Sequence, residues 1–254
     1  MNFIEKYLKA VQEKDSVLCL GLDPKPPLGQ KPDDKSVAKI AEYCKQMVEK
    51  TSGSCCAVKA NLQFIFPFSL HHYREINRSI HAAGMVSILD IKLNDIGSSN
   101  AASIFWIKEA GFDALTFSPF AGNVSEGIGL AHENGLGIFV LTLMSNPESK
   151  YFMKGEVEGI PAYRWISHQV AQARGDGVVV GATQKGREIE EIRDLVGNGT
   201  IFLIPGIGAQ GGDEDVLRKA GGNLLVNVGR SVLNAEDPAK EAEQFRQRFN
   251  LLRR

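Results

Sequence analysis

The fold class this sequence predicts is α/β, as a single (β/α)8 TIM barrel, and three observations predict it. Short apolar runs alternate with amphipathic segments at roughly 30-residue spacing, the alternation can be counted eight times, and no linker or low-complexity tract interrupts it. A barrel of this type ordinarily occupies about 250 residues, so residues 1–254 are read as one barrel domain. A doubly wound open sheet has the same local rhythm. Closure into a barrel therefore follows mainly from the count.

Phe3, Ile4, Tyr7, Leu8 and Val11 fall at helical spacing and predict a short helix before the first strand. The run 16–22 is that strand, and it ends at Asp23-Pro24. Val37, Ile40, Ala41, Cys44, Met47 and Val48 form a helical stripe ahead of a second strand at 55–61, which carries Lys59 near its end. Leu70, Tyr73, Ile76 and Ile80 make the next helix, closed by Ala82-Ala83-Gly84. The third strand starts at 85–89 and runs on into Asp90. Helices at 101–110, 124–133, 162–174, 186–196 and 213–220 alternate with strands at 112–117, 137–142, 177–181, 200–205 and 223–228, and a last helix starts at Pro238. One longer connection, 144–159, follows the fifth strand.

Composition narrows the function classes. Hydrophobic residues make up 43% and charged residues 23%, as in an ordinary soluble domain, and the net charge of -1 implies no general attraction to nucleic acid or to a membrane surface. An anionic ligand must then be held by a local site. Cys19, Cys44, Cys55 and Cys56 include no C-x-x-C pair, so neither a disulfide framework nor a zinc site is suggested, and no metal is expected. The first eight residues alternate charged and apolar side chains, unlike a signal peptide, and no run approaches the roughly 18 apolar residues of a membrane span. A cytoplasmic protein is the expectation.

The chemistry concentrates in Asp90-Ile91-Lys92-Leu93-Asn94-Asp95. Side chains alternate along a strand, so Asp90 and Lys92 share one face while Leu89, Ile91 and Leu93 share the other. Such a pair can be a solvated surface decoration of little energetic weight. A buried parallel strand, however, carries polar residues only near its carboxyl end, where catalytic groups of a barrel gather. On that face Asp23, Lys59, Asp90 and Lys92 converge, although Asp23 can also be read as a turn former beside Pro24.

The segment Pro205-Gly206-Ile207-Gly208-Ala209-Gln210-Gly211-Gly212 follows the seventh strand, and Gly229-Arg230-Ser231 follows the eighth. By composition alone such glycines make a flexible connection. In this fold those two loops are the usual phosphate site, where glycine lets backbone N–H groups approach the oxygens and Arg230 would add a bidentate charge.

Taken together, these residues resemble the orotidine 5′-monophosphate decarboxylase family. The likeness rests on Asp90-Ile91-Lys92-Leu93-Asn94-Asp95-Ile96, Leu22-Asp23, Lys59, Met144-Ser145-Asn146-Pro147, the turn from Pro205 to Gly212, and Val228-Gly229-Arg230-Ser231, in family order over nearly the whole chain. It implies decarboxylation of orotidine 5′-monophosphate to UMP, the last step of UMP synthesis, without a cofactor. It also implies a homodimer whose sites lie at the interface: Lys59, Asp90 and Lys92 from one subunit and Asp95 from its partner. Lys92 would be the proton donor in that array. Asp23 and Lys59 would hold ribose hydroxyls, Ser145 would contact the pyrimidine, Gln210, Gly229 and Arg230 would grip the phosphate, and Pro205 would be a further substrate-binding residue. Ser99 stands where the family usually has Thr, and it retains the hydroxyl for a ribose contact across the dimer.

Two rivals share parts of this pattern. Metal-dependent keto-sugar-phosphate decarboxylases carry the same D-x-K-x-x-D strand, but the residue ending their second strand is typically acidic, whereas this chain has Lys59. A non-catalytic nucleotide-phosphate sensor would keep Arg230 and would have no use for a buried proton donor.

Overall fold

The eight apolar runs pair into a closed, all-parallel barrel. Its strands are β1 (Leu18–Leu22), β2 (Ala57–Asn61), β3 (Val86–Leu93), β4 (Ala114–Phe117), β5 (Gly137–Leu143), β6 (Gly177–Val180), β7 (Ile201–Pro205) and β8 (Leu224–Val228). Each pairs with its sequence neighbours, and β8 returns to β1 through Leu18↔Val226 and Leu20↔Val228. The computed structural model describes residues 1–26, 28–29, 31–184, 187–208 and 211–253.

Strand alternation makes two cores. Cys19, Ala57, Ile88, Phe139, Leu141, Val179, Leu203 and Leu225 pack inside the barrel, while Leu20, Val58, Leu89, Leu115, Val140, Val178 and Val226 pack outward against the helices. Full burial of one such Leu, Ile, Val or Phe contributes about 1.5–3 kcal/mol. The amino end of the barrel is plugged by the helix Phe3–Lys14, which starts with a capping box between Asn2 and Glu5. Phe3 meets Phe139 edge-on at 5.6 Å, and the Tyr7 hydroxyl donates to the Leu224 carbonyl at 2.7 Å. Depth for a ligand is consequently left at the carboxyl end of the strands.

The same device recurs on two strand pairs at the amino end. Asp113, just before β4, accepts from the Ser87 N–H at 2.9 Å and lies 2.8 Å from His81 Nε2; Asp176, just before β6, accepts from the Ile138 N–H at 3.0 Å and lies 2.8 Å from His132 Nε2. Burial works against the charge on Asp113, but His81, Lys6 and the Ser87 N–H outweigh it and bring its pKa down to about 2.

The connection expected at 144–159 contains a short helix, Ser149–Met153, and a small antiparallel hairpin pairing Glu156–Val157 with Ile160–Pro161. The helices Leu62–Ile65 and Arg230–Leu233 and the 3-10 turn Pro119–Ala121 are also additions to the sequence reading. A four-residue helix is too short to leave a periodic signature. The helix expected at 101–110 spans Gly97–Glu109, its early start helped by the Asn100 side chain, which donates to the Asp95 carbonyl at 2.5 Å. All four cysteines are buried and free, and burial pushes the thiols of Cys44 and Cys55 up to about 12. Among the described residues no helix is long and apolar enough to cross a membrane.

Candidate active site

At the carboxyl mouth, three adjacent strands deliver one charged array. Lys59 of β2 places Nζ 2.5 Å from Asp90 Oδ2, and Lys92 of β3 places Nζ 2.7 Å from Asp90 Oδ1. From β4 the Thr116 hydroxyl donates to the same Oδ1 at 3.0 Å. One carboxylate therefore accepts from three donors. Lys59 is 5% exposed and Asp90 7%, whereas the Lys92 side chain is 33% exposed. Lys59 and Asp90 form the buried base of the array, and Lys92 is its accessible end.

The charges sustain one another. Burial opposes ionisation of Asp90, but the ammonium groups of Lys59 and Lys92 outweigh it and hold the carboxyl far below the usual carboxylate range. Burial likewise opposes charge on Lys59, and the carboxylates of Asp90 and Asp23 reverse that effect and leave its pKa raised. At neutral pH the array carries two ammonium groups on one carboxylate.

Its geometry departs from a regular strand. Along β3 and β4 the register runs Leu89↔Leu115 and then Leu93↔Phe117, so four steps on β3 face two on β4. Lys92 sits inside this bulge at φ +53°, a left-handed conformation unusual for a residue with a side chain. Its N–H is satisfied by Thr116 Oγ1 at 2.9 Å in place of a ladder bond. Bulges re-aim side chains beside functional sites, and a strained residue persists only where its surroundings over-determine it. Thr116 holds Lys92 by the backbone and Asp90 by the carboxylate. Thr116→Val, close in shape, should cost about 1–3 kcal/mol in urea unfolding and lower kcat several-fold with little change in KM; an unchanged kcat would show that Thr116 does not position the pair.

The array opens on a cavity of ≈ 180 Å³. Leu141, Val179 and Leu203 form its apolar floor, Met144 and Ser145 one rim, and Pro205 another, with Asp23 and Asn227 on the β1 and β8 side. Ser145 is held in place from β6's loop: Thr183 Oγ1 donates to the Ser145 carbonyl at 2.6 Å, and Gln184 Nε2 donates to the Met144 carbonyl at 2.8 Å. The fit requires glycine at position 181, where a Cβ would lie 2.5 Å from Ser145 Cα. A smaller crevice of ≈ 40 Å³ adjoins the first, lined by Gly206, Ile207, Gly229, Arg230 and Ser231 and sharing Asp23 and Asn227 with it. Arg230 is exposed there; its carbonyl accepts from the Asn234 N–H, and its guanidinium makes no hydrogen bond or ion pair with the described residues.

Of the residues singled out by sequence, Asp23, Lys59, Asp90, Lys92, Ser145 and Pro205 line the larger cavity, and Gly229 and Arg230 the smaller. Asp95 and Ser99 do not join them; both are exposed. The Asp95 carbonyl is clamped by Asn100 and Asn123 Nδ2 at 2.5 and 3.0 Å, which turns the residue outward beside Ile96, itself 67% exposed. Gln210 lies outside the described residues. Thr116, Asn61 and Asn227 were missed. Thr116 and Asn227 are polar residues at inward positions near the ends of their strands, so strand alternation held the signal for them.

Residues 16–245 match the model of the orotidine 5′-phosphate decarboxylase / HUMPS family. The orotidine 5′-phosphate decarboxylase of Variovorax paradoxus is 34% identical over 267 aligned positions, covering 96% of this chain and 94% of the relative, and that of Paracidovorax citrulli is 35% identical, covering 92% and 90%. Among solved structures, OMP decarboxylase of Leishmania donovani superposes with a TM-score of 0.82 at 25% identity, covering 100% of this chain and 99% of that one.

Proposed function

The chain belongs to the orotidine 5′-phosphate decarboxylase / HUMPS family, and from that premise and the charged cavity we propose that it decarboxylates orotidine 5′-monophosphate to UMP and CO2. The observation that carries the reading is the Lys59–Asp90–Lys92 array, with its accessible ammonium facing a cavity that continues into the Arg230 crevice. A nucleotide has matching parts: a phosphate for Arg230, a sugar for the junction, and a base for the larger cavity.

In the proposed reaction the bond from C6 to the carboxylate breaks, the electron pair stays on C6 in the ring plane, and neutral CO2 departs. No adjacent carbonyl can delocalise that pair as an ordinary enolate. Lys92 supplies a nearby positive charge as the carbanion develops and then transfers a proton from Nζ to C6, after which solvent restores the ammonium. Asp90, held ionised, keeps Lys92 aimed and repels the substrate carboxylate until CO2 leaves. Asp23 and Lys59 hold the sugar hydroxyls, Ser145 meets the pyrimidine, Pro205 borders the cavity that takes the base, and Gln210 and Gly229 border the phosphate. Phosphate binding away from C6 can stabilise the desolvated, aligned state in which the charges act.

The outward Asp95 supports a homodimer, in which Asp95 and Ser99 complete the partner's site; a cytoplasmic location is part of the same proposal. No part is assigned to nucleic acid or to a membrane, and no cofactor or metal enters the proposed step. The test is the loss of orotidine 5′-monophosphate absorbance, with UMP identified as product, in buffer containing EDTA. No loss under those conditions would refute the reading, and activity restored by Mg2+ would favour a metal-dependent sugar-phosphate enzyme.

Arg230→Ala should raise KM for the phosphorylated substrate by about 10–100-fold, the range for losing a charge-assisted contact. It should scarcely alter the slow reaction of the nucleoside. Equal losses on both substrates would contradict a phosphate contact.

A further inference from the structure

Asn227 has no role in the scheme above, yet it occupies the place where the two cavities meet. It lies on β8, is 9% exposed, and with Asp23 is shared by the lining of both cavities. Its register partner on β1 is Cys19, and Gly21 lies diagonally across from its side chain. A Cβ at Gly21 would lie 3.1 Å from both Oδ1 and Nδ2 of Asn227 and 3.0 Å from Gly229 Cα. The missing side chain at position 21 is what leaves room for the carboxamide.

Asn227 Oδ1 is buried and has no hydrogen-bond partner among the described residues, and the same holds for Asp23 Oδ1 at the same junction. A buried acceptor without a donor is costly and rare in a folded protein. Here two occur in one shared lining, one on an Asp and one on an Asn. Residues that served only packing would be replaced at no loss by apolar ones.

The ligand that answers them must bring donors. A phosphate at neutral pH offers acceptors, and the group that joins it to the base is the sugar, whose neighbouring hydroxyls are donors. Resting on the nucleotide reading above, we propose that Asn227 reads the sugar: its carboxamide oxygen accepts a hydrogen bond from a ribose hydroxyl beside the one taken by Asp23. Asn227 is thus a specificity-determining residue for a ribonucleotide over its deoxy counterparts.

Calorimetric titration of the intact protein with UMP, 2′-deoxy-UMP and 3′-deoxy-UMP tests this, in wild type and in Asn227→Leu. The expected result is that wild type prefers UMP, and that Asn227→Leu weakens UMP about tenfold while leaving unchanged the analogue that lacks the partnered hydroxyl. The Tm of unliganded Asn227→Leu should equal or exceed that of wild type, because an unpaired buried polar group has been removed. Asn227→Ala, which only deletes atoms, should lose the same discrimination and serves should leucine not fit. Unchanged affinities in both variants, or an equal loss for all three nucleotides, would overturn the assignment to Asn227 alone. Wild-type protein that binds none of the three would overturn the nucleotide reading and this proposal together.

Discussion

Lys92→Ala should abolish turnover of orotidine 5′-monophosphate while UMP binding stays measurable. The substitution removes a general acid and an electrostatic stabiliser at once, contributions of about 10²–10⁴ and 10²–10³ respectively, so kcat should fall by at least about 10⁴. KM should move far less, since the developing charge at C6 exists only in the transition state. Stability should hardly change, because Asp90 keeps Lys59 and Thr116 as donors and the Lys92 side chain is partly solvated. Continuous absorbance assays and thermal melts check both halves, and normal turnover by the purified variant would remove Lys92 from the mechanism. The same variant probes the dimer. Mixed and refolded with Asp95→Asn, which is expected to be inactive alone, it should recover about a quarter of wild-type activity, since half the dimers are mixed and each rebuilds one of its two sites. No recovery, with mixed dimers demonstrated, would place Asp95 outside the partner's site.

Asp90→Ala should eliminate activity and also destabilise the fold. Lys59 would remain buried without the carboxylate 2.5 Å from its Nζ. Removing one partner of a buried ion pair costs about 3–5 kcal/mol, and in a chain of this size that lowers Tm by roughly 10 °C. The pH dependence has a definite sign. The folded pKa of Asp90 is depressed, so its contribution to stability is fully present above the unfolded value, near 4, and is lost as pH falls through the lower folded value. The folded pKa of Lys59 is raised, so its contribution is fully present below the unfolded value, about 10.4, and is lost as pH rises through the folded one. Urea unfolding at pH 3 and pH 7 should therefore show a smaller pH-dependent loss in Asp90→Ala than in wild type. An identical slope in the two proteins would mean that Asp90 is not the group that titrates. Lys92→Ala and Asp90→Ala thus separate the accessible end of the array from its buried base.

By itself the sequence determined the barrel and the face on which its chemistry lies. Eight β/α units are a local property, repeated along the chain, and polar residues such as Asp23, Lys59, Asp90 and Lys92 at the ends of apolar runs are visible wherever alternation is visible. Glycines around Arg230 needed only the strand count to become an expected phosphate site. What only the tertiary structure decided is how these residues meet. The bulge between Leu89 and Leu93 depends on pairing with β4, and a lysine held at φ +53° leaves no mark in the chain, because nothing in a lysine's identity signals a left-handed backbone. Thr116 acquires its hold on Asp90 and Lys92 only across that pairing. Asp95 turns outward because Asn100 and Asn123, one nearby and one 28 positions along, clamp its carbonyl. Gly21 makes room for Asn227 because closing the barrel sets the first strand against the last. Periodicity is written within each element, whereas register is a relation between distant ones, and at this barrel's mouth register is what brings the charges into contact.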